Sequence, residues 1–473
     1  MKSNSLILNR KMFIAMFATY ALGILFIYNM PNNLSSEEIG QYLVLLLSYY
    51  YVPTIFFFTI ALNGYDIFEP ITLYTVVYFL LYTVTPLVLF IEDNLLCRGI
   101  YVMDGCIKGT FIYMISYTFF CLFYMNGPYQ ENYLNQEDLN LGSDDEKTSI
   151  LRWAWGIWFV AFAINIYYLL KSGRSLSYIL SFGFLGEQSD SSSTNALFLT
   201  DIGYMVIGSW IYIWFYEKRK MLTVLSFILS IAVFYIRGFR FIILIMLIAV
   251  VTSYYLSRRK KPSIKAGIAF LFLIFFMIAF MGFVRTGLRS GNGSTFENFD
   301  FLEELSYSLY SNFNIYQTYY GIVADVPTNC SFKGFATIWE NIYMWIPRAI
   351  WPGKPATGQT YLSVIADCLD YNKIIGAAMA TPDLSGYYYS FGLFGCLFYS
   401  AFWGTVCRKS RQLYVNNNIH DLILYSLFMP TLFQMIIRGS DLTGFIKIFG
   451  FICAPPLIIK YVAKRSEQGA ESD

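Results

Sequence analysis

The chain has a single histidine in 473 residues, His420, and that count alone excludes most histidine-based chemistry. Charge is also scarce. Asp, Glu, Lys and Arg make up 14% of the residues, against about 25% in soluble domains. With 56% hydrophobic residues and a mean hydropathy of +0.49, the deficit of charge points to a polytopic membrane protein. The net charge of +2 gives no whole-chain field to draw nucleic acid. The eight cysteines show no CxxC pair and no metal spacing. Most lie in apolar runs, where cysteine behaves as a small hydrophobe. Cys330 and Cys368 share one polar stretch; pairing in an oxidising compartment and free thiols both fit. No Walker A loop appears, and no GxGxxG opens a helix after a strand. No small-residue cleavage site follows the first apolar run, which reads as a retained span.

What the chain has instead is a succession of apolar runs. They lie near residues 12–29, 41–62, 71–91, 106–125, 151–170, 196–216, 221–236, 241–256, 266–284, 387–406, 422–437 and 443–462. A span needs about 20 apolar residues. Aromatics reach 20%, with 40 Tyr and 44 Phe. Interfacial belts and compositional drift together account for most of the tyrosines in this reading, although sugars also stack on aromatic rings. Lys and Arg set the orientation. Basic connections at Lys2, Arg10 and Lys11, at 218–220, at 258–265, at 408–411 and at Lys464 and Arg465 all fall on one side if about twelve spans are counted. That side is expected to be cytoplasmic, with both termini there. The expected organisation is helices one to nine over 1–284, a long outer loop over 285–386, and helices ten to twelve over 387–473.

Several arginines break the charge rule at the outer ends of spans. Arg237 and Arg240 interrupt an apolar stretch, Arg285 and Arg289 open the long loop, and Arg438 ends the eleventh run. Charges at membrane depth are costly and face polar cavities by default. A lone arginine there reads as snorkelling to headgroups; several at one face, with Arg348 and Lys354 from the loop, read as a shared anion site. Guanidinium forks grip phosphate oxygens in pairs. At an outer face bordered by hydrophobic spans, a lipid-linked diphosphate suits them better than a free nucleotide. No Asp-x-Asp metal motif occurs in the outer loops. No metal and no cofactor are expected. The outer carboxylates are Glu303, Glu304, Asp325, Glu340, Asp367, Asp370, Asp383 and Asp441. Asp383, just before the tenth run, ranks first as a general base, against a reading as helix cap or ion-pair partner. Tyr388 ranks as a sugar contact.

At the loop's centre stands Trp345-Ile346-Pro347-Arg348-Ala349-Ile350-Trp351-Pro352-Gly353-Lys354-Pro355. Three prolines keep it out of helix interiors. After a spacer come Thr381-Pro382-Asp383 and then Phe391-Gly392, with Gly395 three residues on. Together with Arg237-Gly238-Phe239-Arg240, these residues resemble the oligosaccharide repeat-unit polymerases, the Wzy-type enzymes of O-antigen and related surface polysaccharides. The resemblance covers most of 230–440. It departs at Gly386 to Ser390, where relatives carry Glu and Asn.

The resemblance implies an all-α, GT-C-like bundle in the bacterial inner membrane. It implies transfer, at the periplasmic face, of a growing glycan from undecaprenyl diphosphate onto a new lipid-linked repeat unit, making this a glycosyltransferase. Expected partners are undecaprenyl-diphosphate-linked glycans, the bilayer, a chain-length regulator of the Wzz type and a flippase. The alternatives are a lipid-linked oligosaccharide flippase, and an O-antigen ligase or other lipid-dependent glycosyltransferase. Reporter fusions at Ser294 and Ser410 test the sidedness: they are expected to report opposite faces, and one face for both refutes the orientation.

Overall fold

A computed structural model of the chain describes residues 2–63, 68–93, 95–97, 100–101, 103–125, 143–171, 201–236, 240–258, 300–303, 315–346, 350–355, 380–415, 418–439 and 441–470, with scattered positions in 260–283 and 358–364. The longer helices in chain order are α1 (Lys2–Tyr28), α2 (Ser36–Asn63), α3 (Pro70–Phe79), α4 (Thr85–Ile91), α5 (Cys106–Met125), α6 (Asp144–Lys171), α7 (Met205–Tyr216), α8 (Lys220–Ile236), α9 (Arg240–Ser257), α10 (Tyr316–Asp325), α11 (Ala336–Tyr343), α12 (Asp383–Val415), α13 (Ile419–Arg438) and α14 (Leu442–Ala470). One small antiparallel ribbon, Leu96–Cys97 (β1) with Ile100–Tyr101 (β2), precedes α5.

Among the described residues, seven helices are long and apolar enough to cross a membrane, and four shorter apolar helices accompany them. The chain is a polytopic helical membrane protein. Eleven of the expected apolar runs coincide with these helices; the run at 266–284 falls largely outside the described residues.

The chain divides into two compact units. The first comprises Met1–Tyr129, Tyr310–Ser410 and Leu432–Thr443; the second comprises Gln130–Leu309, Arg411–Thr431 and Gly444–Asp473. In the second unit, α6 to α9 pack around buried Trp210, Ile211, Ile243 and Met246. Polar pairs punctuate that core. Trp158 Nε1 donates to Ser230 Oγ at 3.0 Å, and Trp210 Nε1 to Ser226 Oγ at 3.0 Å. His420 is buried with its Nδ1 2.7 Å from Tyr212 Oη, and Lys460 pairs with Asp421 at 2.5 Å.

In the first unit, two devices shape the backbone. Between α3 and α4 lies one π turn, Leu80–Val84. Pro86 explains it: the proline has no N–H for the Tyr82 carbonyl four residues back, and its ring presses on that carbonyl. Tyr320 Oη approaches the freed Tyr82 oxygen at 3.5 Å. The second device is the seating of α10 on α5. A Cβ at Gly105 would collide with the Tyr320 carbonyl, and one at Gly109 would come within 2.8 Å of the Tyr320 ring. Two glycines four residues apart let helices approach at backbone distance. The stretch read as one long loop thus contributes a buried helix to this unit, with Tyr316, Tyr319 and Tyr320 fully enclosed.

α12 is two helical pieces. Phe391 (φ −137°) and Gly392 (φ 62°, ψ −145°) leave helical geometry. Only glycine takes that second conformation without strain. The first piece, 383–390, folds back along the second. Tyr387 stacks on Tyr399 at 3.8 Å, and Cys396 Sγ donates to the Leu384 carbonyl at 3.6 Å. Residues twelve apart on a straight helix would be ~18 Å apart. The reversal thus falls inside the tenth apolar run, expected over 387–406.

Gly105→Ala is expected to unseat α10 and destabilise the first unit by about 1–3 kcal/mol, read as a lowered unfolding midpoint of the purified protein in detergent.

Candidate active site

Asp383 opens α12, after Thr381 and Pro382, and has no exposed surface. Four donors satisfy it. Tyr78 Oη donates to Oδ2 at 2.5 Å, Tyr399 Oη to Oδ2 at 2.8 Å, Tyr82 Oη to Oδ1 at 3.2 Å, and the Leu384 amide to Oδ1 at 2.8 Å. Burying a carboxylate costs several kcal/mol unless such bonds offset it. The donors come from local sequence rules. Tyr74, Tyr78 and Tyr82 are spaced by four, so α3 and its π turn present them on one face. Tyr399 reaches Asp383 only through the reversal at Phe391 and Gly392. Around this shell the rings pack closely: Tyr74 on Tyr78 at 4.3 Å, Tyr74 on Phe120 at 3.7 Å, Tyr82 on Tyr113 at 5.0 Å.

Gly439 closes the site from another side. A Cβ there would lie 3.1 Å from the Asp383 Cβ and would collide with the Met435 carbonyl. The end of α13 is thereby held against Asp383, and the residue before Gly439 is Arg438, whose side chain is exposed. Asp383 and the Arg438 turn, expected separately from sequence, belong to one place in the first unit. Asp441 follows, half-buried.

The loop after α11 is fastened by polar ties. Lys354 Nζ donates to the Met344 and Ile346 carbonyls at 3.2 and 2.7 Å. Buried Glu340 accepts from the Thr360 amide and hydroxyl, both at 2.7 Å, and from the Gly358 amide at 3.2 Å. Lys354, expected on a diphosphate, thus has its ammonium on two backbone carbonyls. Tyr388, expected on sugar, is buried; its hydroxyl donates to the Val326 carbonyl at 3.0 Å, and Lys108 Nζ lies 5.3 Å from its ring centroid. Asp325 accepts from Asn329 at 2.8 Å. Cys330 is a buried free thiol. Arg237, Arg285, Arg289 and Arg348, with Glu304, Asp367, Cys368 and Asp370, lie outside the described residues, as does the side chain of Arg240, the first residue of α9. Among the described residues no three His, Cys, Asp or Glu side chains gather as a metal site.

Sequence reasoning missed the tyrosine shell. Its signal was the spacing of Tyr74, Tyr78 and Tyr82, submerged in a chain with 40 tyrosines. Tyrosines read as interfacial belts are in several cases fully buried, among them Tyr74, Tyr78, Tyr82, Tyr113 and Tyr117. The motif at Phe391, Gly392 and Gly395 has a physical account as the reversal: Gly392 supplies the positive φ, and a Cβ at Gly395 would strike the Tyr387 carbonyl.

Asp383→Ala is expected to strand three buried hydroxyls, each costing about 1–3 kcal/mol, whereas Asp383→Asn keeps one acceptor oxygen and costs less. Unfolding midpoints of the two purified variants give the order.

No curated protein and no solved structure matches the chain. The family described as O-antigen polysaccharide polymerase Wzy matches residues 11–466, nearly its whole length. The polytopic helical architecture agrees with that match. The chain belongs to the O-antigen polysaccharide polymerase Wzy family, and its role is that of a multi-pass membrane polysaccharide polymerase.

Proposed function

We propose that this polymerase transfers a glycan from undecaprenyl diphosphate to a lipid-linked repeat unit, at the periplasmic face of the inner membrane and with both termini cytoplasmic. In the step, an acceptor hydroxyl oxygen bonds to the donor's anomeric carbon. The bond from that carbon to the diphosphate oxygen breaks, and the diphosphate leaves with the electron pair. The hydroxyl proton passes to a basic oxygen at the site. The leaving group needs charge stabilisation above all, and arginines supply it without a metal. Arg438 and Arg348 are assigned to the diphosphate, with Arg237, Arg240, Arg285 and Arg289 as further candidates from the sequence.

The observation that carries this reading is the Arg438–Gly439 turn packed on Asp383 in a chain of this family. It sets an exposed guanidinium beside a fixed, buried anchor. Asp383 is enclosed, with both oxygens engaged, so we assign it to positioning that turn rather than to taking the acceptor's proton. Lys354 is assigned to holding the loop that carries Arg348. A chain-length regulator and a flippase are the proposed partners.

Arg348→Ala and Arg438→Ala are each expected to leave the protein in the membrane and lower polymerisation about a hundred- to a thousand-fold. Surface glycan ladders then collapse to a single repeat unit. Normal ladders in both variants sink the assignment, and repeat units trapped on the inner leaflet of a deletion strain favour a flippase.

A further inference from the structure

An apolar groove of about 440 Å³ runs along the outside of the α12 reversal. Its walls are Phe335 and Ile338 of the α11 region and Tyr387, Phe391, Phe394 and Phe398 of α12. Two features make it a hydrocarbon site. The hydroxyls of Thr337 and Ser390, its polar side chains apart from the Tyr387 phenol, bond to each other at 3.0 Å. Among the described residues no charged side chain lines it. Buried sugars or headgroups would lose hydrogen bonds there without replacing them. Phe394 and Phe398 are 84% and 77% exposed on the second piece of α12, within a candidate membrane span, so the groove is open towards lipid.

One end of the groove fixes what kind of lipid it takes. Gly439 and Leu442 line it, and Arg438 immediately precedes Gly439. Tyr387 in its wall stacks on Tyr399, which donates to Asp383. A chain lying in the groove therefore has its head at the basic turn of the candidate active site. We propose that the groove binds the polyprenyl chain of the lipid-linked substrate, next to the diphosphate. This rests on the polymerase reading above. Unsaturated, methyl-branched hydrocarbon presents flat and knobbly surfaces to the four phenylalanine rings. The anionic head is held by Arg438. The reversal makes the groove: without Gly392 the first piece of α12 would not stand beside the second.

A photoactivatable benzoylphenylalanine at Phe394, Phe398 or Phe335 tests the site in cells that make the repeat unit. The control position is Phe402, exposed on the same helix but outside the groove. Only variants that still restore long glycan chains to a deletion strain are compared, and three positions guard against the loss of one. The expected result is glycan-bearing adducts at the groove positions and their loss at Phe402. Phospholipid adducts alone at every position, with long chains still made, overturn the groove and leave the polymerase reading standing. Failure of the unmodified chain to restore long chains overturns that reading, and the groove with it.

Discussion

A carboxylate enclosed in a membrane protein has to be held from several directions at once, and Asp383 is. Tyr78 and Tyr82 reach it from the α3 region, Tyr399 from beyond the α12 reversal, and its own helix start supplies an amide. Sixteen residues of straight helix would separate Asp383 from Tyr399 by ~24 Å. The bond between them exists only because Gly392 takes a positive φ. Each element depends on the others. The π turn forced by Pro86 sits where Tyr82 is displayed. Gly439 lets the end of α13 close on the same side chain. Removing the carboxylate would leave the hydroxyls of Tyr78, Tyr82 and Tyr399 without their shared acceptor.

The same arrangement joins two chemical environments. On one side of the reversed piece are tyrosine hydroxyls bonded to an acid; on the other are bare phenylalanine rings. The reversal at Phe391 and Gly392 puts these two environments back to back along one short piece of helix. The polar ties of Lys354 and Glu340 serve the neighbouring loop, holding the described chain on both sides of Arg348.

Much of the architecture was legible because it follows from one-dimensional quantities. Apolar run length is enough to find spans, since the bilayer imposes it. The interior of the first unit was not legible, for a reason the tyrosines make plain. A phenol at a headgroup and a phenol on a buried acid look alike in sequence, and Tyr78 and Asp383 lie 305 positions apart. α10 escaped notice because Gln317, Thr318 and three tyrosines among its ten residues read as polar loop, although the helix is buried. The reversal was visible only as a short motif with a glycine in it. Lys354 and Tyr388 were read for their chemistry alone; backbone carbonyls, which a sequence does not display, claim both.

The indole–serine pairs of the second unit have a consequence for assembly in lipid. Ser226 and Ser230 lie one turn apart on α8, each met by a tryptophan from a different helix. The opposite flank of α8 is apolar and exposed at Val224, Leu225 and Ile228. Lipid tails are as apolar as leucine, so greasy contacts do little to tell one helix rotation from another. Two hydroxyls do: rotating α8 by a single residue, about 100°, would turn both into hydrocarbon. The pairs thus act as a rotational key, choosing which face of α8 meets the protein and which the membrane.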